Sequence, residues 1–171
     1  MDRADLQAAQ APLKERYRED PAAALVTLRA SGELGAEEVS CSVETGRALV
    51  VAGLHPATGG SGALACSGDM LLQALAACAG VTLRAVATSL GVAVSGRVVA
   101  EGDLDFRGTL GVAKDEGVPV GFRAIRLRFE LSDVPDDEEQ LALLLRLTER
   151  YCVVYQTLAG GVPVDLAVTQ S

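Results

Sequence analysis

Four cysteines are the side chains of this sequence best suited to covalent chemistry. Cys41, Cys66, Cys78 and Cys152 lie far apart along the chain, and no two of them form a C-x-x-C pair. A single histidine, His55, is too few for the usual zinc spacings, so the sequence predicts no metal site. Structural disulfides are rare in cytosolic proteins. Each thiol is therefore either a small buried hydrophobe or a reactive group.

Cys78 lies in a long apolar stretch, GDMLLQALAACAGVTLRAVATSL at 68–90. This stretch predicts a helix that is apolar on nearly every face, with Ser67 as its N-cap, Asp69 in its first turn and Gly91 after its end. Such a helix is about 34 Å long at 1.5 Å per residue. Its apolar faces must be buried on every side, and one antiparallel sheet can bury only one of them. We therefore expect an obligate homodimer with this helix near the interface.

Cys152 lies on a second predicted helix, over about 136–159, which begins in an acidic run and ends before a Gly-Gly pair. Judged from residue types alone, Cys78 and Cys152 fit a packing role, because free cysteine is among the most buried residue types. Cys66 comes one residue before the expected N-cap, where a helix dipole can lower the pKa of a thiol. On this argument Cys66 is the better-placed nucleophile.

Strands and turns make up most of the rest of the chain. The order of strands, buried helix, strands, second helix and final strand predicts an α+β fold. The predicted elements outside the two long helices are a short helix at 12–20, a strand at 23–34, a hairpin over 37–53 with its turn at Thr45–Gly46, strands within 92–110 and 120–133, and a last strand over 162–170.

The composition favours one globular domain over residues 1–171. Hydrophobic residues make up 49% of the chain and charged residues 22%, with a net charge of −8 from 15 basic and 23 acidic residues. An acidic chain without basic clusters is a poor partner for nucleic acid or an anionic membrane. Asp69, Gln73 and Arg84 interrupt the best candidate for a membrane span, and the N-terminus lacks a signal-peptide apolar region. We expect a soluble cytoplasmic protein.

Two segments that carry cysteines resemble signatures of the OsmC/Ohr family, the osmotically inducible and organic-hydroperoxide-resistance proteins. DMLLQALAACAGVTL, around Cys78, is similar to the family form ELLLAALAAC, and RYCVVYQTL, around Cys152, is similar to CPVxxTL. The resemblance extends loosely from about Leu54 to Val168. It implies antiparallel sheets packed around long buried helices in an intertwined homodimer, with residues 1–22 as a helical arm for the partner subunit.

The resemblance also implies an activity, that of a thiol peroxidase for organic hydroperoxides in the oxidative stress response. Carried over by position, Cys78 matches the peroxidatic cysteine and Cys152 the resolving one. The family cycle needs no metal or prosthetic group, and an external dithiol reduces the disulfide. An apolar site suits bulky organic hydroperoxides, since it can bury a hydrocarbon tail.

In the family, an arginine held by an acidic residue keeps the peroxidatic thiol ionised. Asp69 aligns with the Glu of the ELLL form, but it precedes Cys78 by nine residues. The two therefore lie on opposite faces, about 13 Å apart along the axis. Asp69 then either reaches the partner subunit's site or serves as a first-turn carboxylate. We favour Arg18, in RYREDP, as the arginine; a solvated surface role for it stays open. Arg16, Arg29 and Arg47 are further candidates in the region before the long helix.

Two departures from the family forms affect the interpretation. Gly68 stands where the hydroperoxide-resistance branch has Glu, which places the chain nearer the broader OsmC-like branch. Val153 stands where many members have Pro, so a source of helix distortion beside Cys152 is missing.

Two other functions stay open: a non-catalytic dimer that binds an apolar ligand, with the cysteines as packing, and a redox sensor whose disulfide alters partner binding.

Overall fold

The computed structural model describes residues 3–34, 41–43, 52–135 and 137–168. Over these residues the chain is α+β, which confirms the predicted fold class. The α-helices are α1 (Arg3–Glu19), α2 (Ser67–Leu90), α3 (Phe106–Thr109), α4 (Glu138–Tyr151) and α5 (Val153–Gly160), and two 3-10 turns span Pro21–Ala24 and Pro56–Thr58. The strands are β1 (Leu25–Leu34), β2 (Cys41–Val43), β3 (Ala52–Gly53), β4 (Ala65–Cys66), β5 (Gly96–Asp105) and β6 (Ala124–Leu131).

An antiparallel sheet in the order β2-β1-β5-β6 forms one layer of the molecule. In its register Ala30 pairs with Ala100, and Ala100 pairs with Leu127. The short strands β3 and β4 pair in parallel and form a separate two-stranded unit. This unit leads the chain directly into α2, which begins at the residue after β4.

Strand β6 shows how the sequence separates the two faces of the sheet. Its exposure alternates at every residue, as the period of two in a strand requires. Ile125, Leu127 and Phe129 pack against the core. Arg126 and Arg128 lie on the opposite face, where they form ion pairs with carboxylates of β5. The basic residues that interrupt the apolar pattern of 120–133 are therefore the outer side of a strand.

Helix α2 is the central element and packs against β1, β5, α4 and α5. Its inner face is buried, and the left-handed Gly91 (φ 68°) ends it as expected. The N-cap is Cys66, one residue before the expected Ser67. Among the described residues, α2 alone is long and apolar enough to cross a membrane. That is weak evidence for a span, because the core helix of a soluble protein meets the same criterion.

The prediction of one continuous helix over 136–159 is wrong. The helix breaks at Cys152, whose backbone is extended (φ −72°, ψ 104°) and which is both the C-cap of α4 and the N-cap of α5. The Cys152 N–H donates to the Thr148 carbonyl at 3.0 Å, and the Cys152 carbonyl accepts from the Gln156 N–H at 2.9 Å. The N–H of Cys152 therefore closes the last turn of α4, and its carbonyl accepts the first hydrogen bond of α5. The break needs neither Pro nor Gly.

The predicted last strand over 162–170 is also wrong for 162–168, the part that the structure describes. These residues form no strand, and Val164, Leu166 and Val168 are 87%, 96% and 82% exposed. A strand needs a neighbour for its N–H and C=O groups, and within the described part of this chain the segment has none. Its alternation of apolar residues is what misled the prediction.

The N-terminal region differs from expectation in extent. The short helix expected at 12–20 is α1, which starts at Arg3 and contains Pro12. Tyr17 on α1 is buried, and its hydroxyl donates to the Ala57 carbonyl at 2.8 Å. The predicted hairpin turn at Thr45–Gly46 lies outside the described residues.

Asp105 at the end of β5 is a buried carboxylate that should contribute strongly to stability. It is 1% exposed, caps α3, and pairs with the Arg107 guanidinium at 2.7 Å. Hydrogen bonds from Arg107 lower the pKa of Asp105. We expect Asp105→Ala to lower the free energy of unfolding by about 1.5 to 3 kcal/mol, because it removes the cap of α3 and leaves the Arg107 guanidinium with only the exposed carboxylate of Glu116 among its described partners. Urea denaturation at neutral pH measures this loss.

Asp103 is the matched control, because its ion pair with Arg126 is solvent-exposed. Asp103→Ala should cost clearly less than Asp105→Ala. Because the folded-state pKa of Asp105 is lowered, its contribution is present at neutral pH and is lost as the pH falls through that pKa. If the two variants lower the free energy of unfolding equally, burial does not make the Asp105–Arg107 pair more stabilising than the exposed pair.

Candidate functional site

The fold brings the side chains of Cys78 and Cys152 together, although 73 residues separate them in the sequence. The two thiols make a hydrogen-bonding interaction with each other. Both are free thiols, and Cys152 is 1% exposed while Cys78 is half-buried. The structure therefore holds a reduced pair of cysteines within reach of each other.

The break at Cys152 is what places backbone donors beside Cys78. The first N–H groups of a helix have no partner within that helix. The first residues of α5, Val153 and Val154, make backbone hydrogen-bonding interactions with Cys78. Thr82, one turn after Cys78 on α2, adds a side-chain interaction. The positive end of the α5 dipole thus lies against the Cys78 sulfur.

These donors decide which thiol ionises first. Burial raises the pKa of Cys78, but hydrogen bonds from the Val154 N–H, the Cys152 thiol, Thr82 and the Val153 N–H together bring that pKa below its ordinary value. A donor that binds the charged form of a group always favours that form. At neutral pH, Cys78 is therefore the more reactive of the two thiols.

Cys152 has the opposite character. Burial raises its pKa to about 11, helped by the adjacent Cys78 and opposed by backbone N–H groups of Tyr155 and Val154. Cys152 is therefore protonated at neutral pH and can donate to the Cys78 thiolate. A pair that combines an ionised thiol with a protonated neighbour can attack an electrophile with one sulfur and close a disulfide with the other.

An apolar groove begins about one turn beyond Cys78, on the outer side of α2. The groove has a volume of about 430 Å³. Thr82 lines it and also interacts with Cys78, so the groove opens close to the reactive sulfur. Most of its other lining is apolar: Val81, Ala85, Val86, Leu90, Leu147 and Tyr151. Such a surface can accommodate a hydrocarbon group.

A second cavity, of about 350 Å³, reaches Cys152 from the other side of α2. Its walls come from α2, β6 and α4, and its lining includes Ala79, Leu127, Phe129, Leu145, Thr148 and Cys152. Arg146, Glu149 and Tyr155 complete it. The Tyr155 hydroxyl donates to the Glu149 carboxylate at 3.1 Å. We refer to it below as the Cys152 cavity.

The two charged residues predicted for the site lie elsewhere in this chain. Arg18 is half-exposed and forms an ion pair with Glu15 on its own helix. Asp69 lies in the first turn of α2, where burial raises its pKa and His55 opposes that rise. Neither is among the groups that shift the pKa of Cys78 most. Their roles beside Cys78 stay predictions.

The remaining candidates have local structural roles. The His55 Nδ1 accepts from the Ala57 N–H at 3.0 Å and the ring stacks on Phe106, so it caps a 3-10 turn. Cys66 is the N-cap residue of α2 but, among the described residues, makes no side-chain cap hydrogen bond. No group of three or more His, Cys, Asp or Glu side chains in the described residues could hold a metal ion. The Cys41 side chain lies outside what the structure describes.

Sequence reasoning missed three groups around Cys78, namely the Thr82 side chain and the backbone N–H groups of Val153 and Val154. Thr82 could have been found, because a residue four positions after the cysteine shares its helix face. The α5 donors could not, because no Pro or Gly near Cys152 marks the helix break.

Comparison with known proteins identifies the family. A family model described as OsmC-like protein matches residues 60–167, which is more than half of the chain and includes both cysteines of the site. A search of curated proteins gave no match. The chain is a member of the OsmC-like protein family.

Proposed function

We propose that this protein is a thiol-dependent peroxidase that reduces organic hydroperoxides through Cys78 and Cys152. The observation that carries the proposal is the contact between a thiol of lowered pKa and a protonated thiol whose pKa is raised to about 11. Membership of the OsmC-like family, to which peroxiredoxin-like enzymes belong, supports a peroxidase or stress-related role.

In the first step, the Cys78 thiolate attacks the distal oxygen of the hydroperoxide. The O–O bond breaks, the alkoxide takes up a proton to leave as the alcohol, and Cys78 becomes a sulfenic acid. The Val153 and Val154 N–H groups and Thr82 act before this step, since they keep the nucleophile ionised. Within this chain, they supply the kind of stabilisation that the family resemblance led us to expect from an arginine.

In the second step, the Cys152 sulfur attacks the sulfur of the Cys78 sulfenic acid. Water leaves, and a Cys78–Cys152 disulfide forms. Because the two thiols already interact in the reduced protein, this condensation competes well with further oxidation of the sulfenic acid. A dithiol reductant then returns both thiols, and the proposed cycle uses no metal or prosthetic group.

We further propose that the enzyme acts as a cytoplasmic homodimer. The outer face of α2, formed by Leu71, Ala74, Cys78, Val81 and Ala85 at helical spacing, is apolar and partly exposed in a single chain. A second copy that covers this face would enclose the apolar groove near Cys78 and exclude water from it. The exposed apolar segment 162–168 would gain a neighbour in the same way.

An apolar-ligand-binding protein is the second candidate, and the groove beside Cys78 is the observation that favours it. In that case the cysteines pack and do not react. A redox sensor of the same fold would oxidise quickly but turn over slowly.

Peroxidase activity should require Cys78 for any reaction with peroxide and Cys152 for repeated turnover. With cumene hydroperoxide and a dithiol, Cys78→Ser should lose turnover, because no other described thiol has the same donors. Cys152→Ser should give one round of oxidation and then accumulate overoxidised Cys78. Peroxide consumption and a non-reducing peptide map measure both effects.

Cys66→Ser is the matched control and should keep wild-type turnover and the Cys78–Cys152 disulfide. If wild type and Cys78→Ser consume peroxide equally slowly, the peroxidase proposal is wrong. A co-purified apolar ligand bound equally well by wild type and Cys78→Ala would then support the binding protein.

The reactivity of Cys78 should depend on pH through its donors. Thr82→Val removes one donor to the thiolate, so the pKa of Cys78 rises and its alkylation curve moves to higher pH. On the acid side of that curve we expect the rate to fall roughly three- to tenfold, because one hydrogen bond contributes about 1 kcal/mol and about 1.4 kcal/mol shifts a pKa by one unit. The measurement is iodoacetamide alkylation against pH, followed at the Cys78 peptide.

Thr88→Val, on the same helix, is the control. The Thr88 hydroxyl donates to the Arg84 carbonyl of its own helix at 2.8 Å, so its loss should leave the curve in place. An unchanged curve in Thr82→Val would remove Thr82 from the site.

A further inference from the structure

We infer that the reductant attacks the sulfur of Cys152, which it reaches through the Cys152 cavity, and that Cys78 is the sulfur expelled. This inference rests on the proposed function, because it assigns the reductive half of that cycle. It divides the two half-reactions between two faces of α2: peroxide approaches on the groove side, and the reductant approaches on the side of β6 and α4.

The geometry of α2 separates the two routes. Cys78 belongs to the outer face of the helix, and Thr82 on the same side lines the apolar groove. Ala79, one residue later and 100° around the helix, lines the Cys152 cavity instead. Among the described residues that line this cavity, Cys152 is the sulfur-bearing one. An attacking thiolate in the cavity therefore meets Cys152 first.

The chemistry of the leaving group favours the same choice. In thiol–disulfide exchange, the thiol of lower pKa leaves faster. Attack on Cys152 expels Cys78 as a thiolate among the Val153, Val154 and Thr82 donors that stabilise it. Attack on Cys78 would instead expel buried Cys152, whose pKa is raised to about 11. The access to Cys152 from the cavity and the stability of Cys78 as the leaving thiolate therefore both favour attack on Cys152.

The reduction balances with a dithiol as the named reductant. One thiolate of the dithiol attacks the Cys152 sulfur, the Cys78–Cys152 bond breaks, and its electron pair leaves on Cys78. The second thiol of the reductant, after losing its proton, attacks the reductant sulfur of the mixed disulfide. Cys152 departs and takes up a proton, and the reductant leaves as a cyclic disulfide. Two electrons have moved from the dithiol to the protein.

A monothiol can trap the intermediate, because it lacks the second sulfur that would release it. The full-length protein is oxidised with diamide, mixed with 2-mercaptoethanol, quenched with acid at short times and mapped by mass spectrometry. We expect the mercaptoethanol adduct on Cys152 and a free thiol on Cys78. An adduct mainly on Cys78 overturns the inference.

The cavity itself is tested by blocking it. Leu145→Trp places a bulky ring in its wall and should slow reduction of the diamide-made disulfide several-fold. Val134→Trp, at an exposed site that does not line the described cavity, is the control and should reduce at the wild-type rate. Equal rates for the two variants would show that the reductant does not use this route.

These outcomes separate the inference from the proposed function. Diamide makes the disulfide without peroxide, so a protein that ignores peroxide still reports which sulfur is attacked. Failure of peroxide turnover overturns only the function, and an adduct on Cys78 overturns only the inference. If diamide forms no Cys78–Cys152 disulfide at all, both are wrong.

Discussion

The approach of the first turn of α5 to the Cys78 sulfur is the interaction on which the rest of the site depends. A half-buried thiol in an apolar surrounding would ordinarily be less acidic than one in water. Here the Val153 and Val154 N–H groups and Thr82 reverse that effect. The same approach brings Cys152 against Cys78, and burial, helped by Cys78, raises the pKa of Cys152. The helix terminus and the burial of Cys152 therefore together create the difference between nucleophile and partner.

Cys152, which joins α4 to α5, fixes the position of the first turn of α5. Helix α4 is held against α2 by buried Leu144, which packs with Leu83 and Ala87, and the Thr148 carbonyl accepts the N–H of Cys152. Cys152 then turns the chain into α5 while staying buried itself. Its position is therefore fixed by the packing of α4 as well as by local backbone geometry. This arrangement leaves one face of α2 for the groove and the other for the Cys152 cavity.

The sequence was sufficient for the elements whose signals are local. The apolar run at 68–90 with Gly91 gave α2, and the motifs around Cys78 and Cys152 gave the family. The break at Cys152 and the unpaired segment 162–168 were missed, because each is decided by what packs against it and not by residue type. Thr82 could have been predicted, because it lies one helical turn after Cys78. Arg18, the arginine favoured from the sequence, forms an ion pair with Glu15 within this chain.

The most direct test is a residue-resolved titration of the two thiols, by NMR of isotope-labelled cysteine Cβ atoms in the reduced protein. The account predicts that Cys78 ionises below the ordinary thiol pKa while Cys152 stays protonated until about pH 11. Ionisation of Cys152 before Cys78, or of Cys78 at or above the ordinary thiol value, would contradict it.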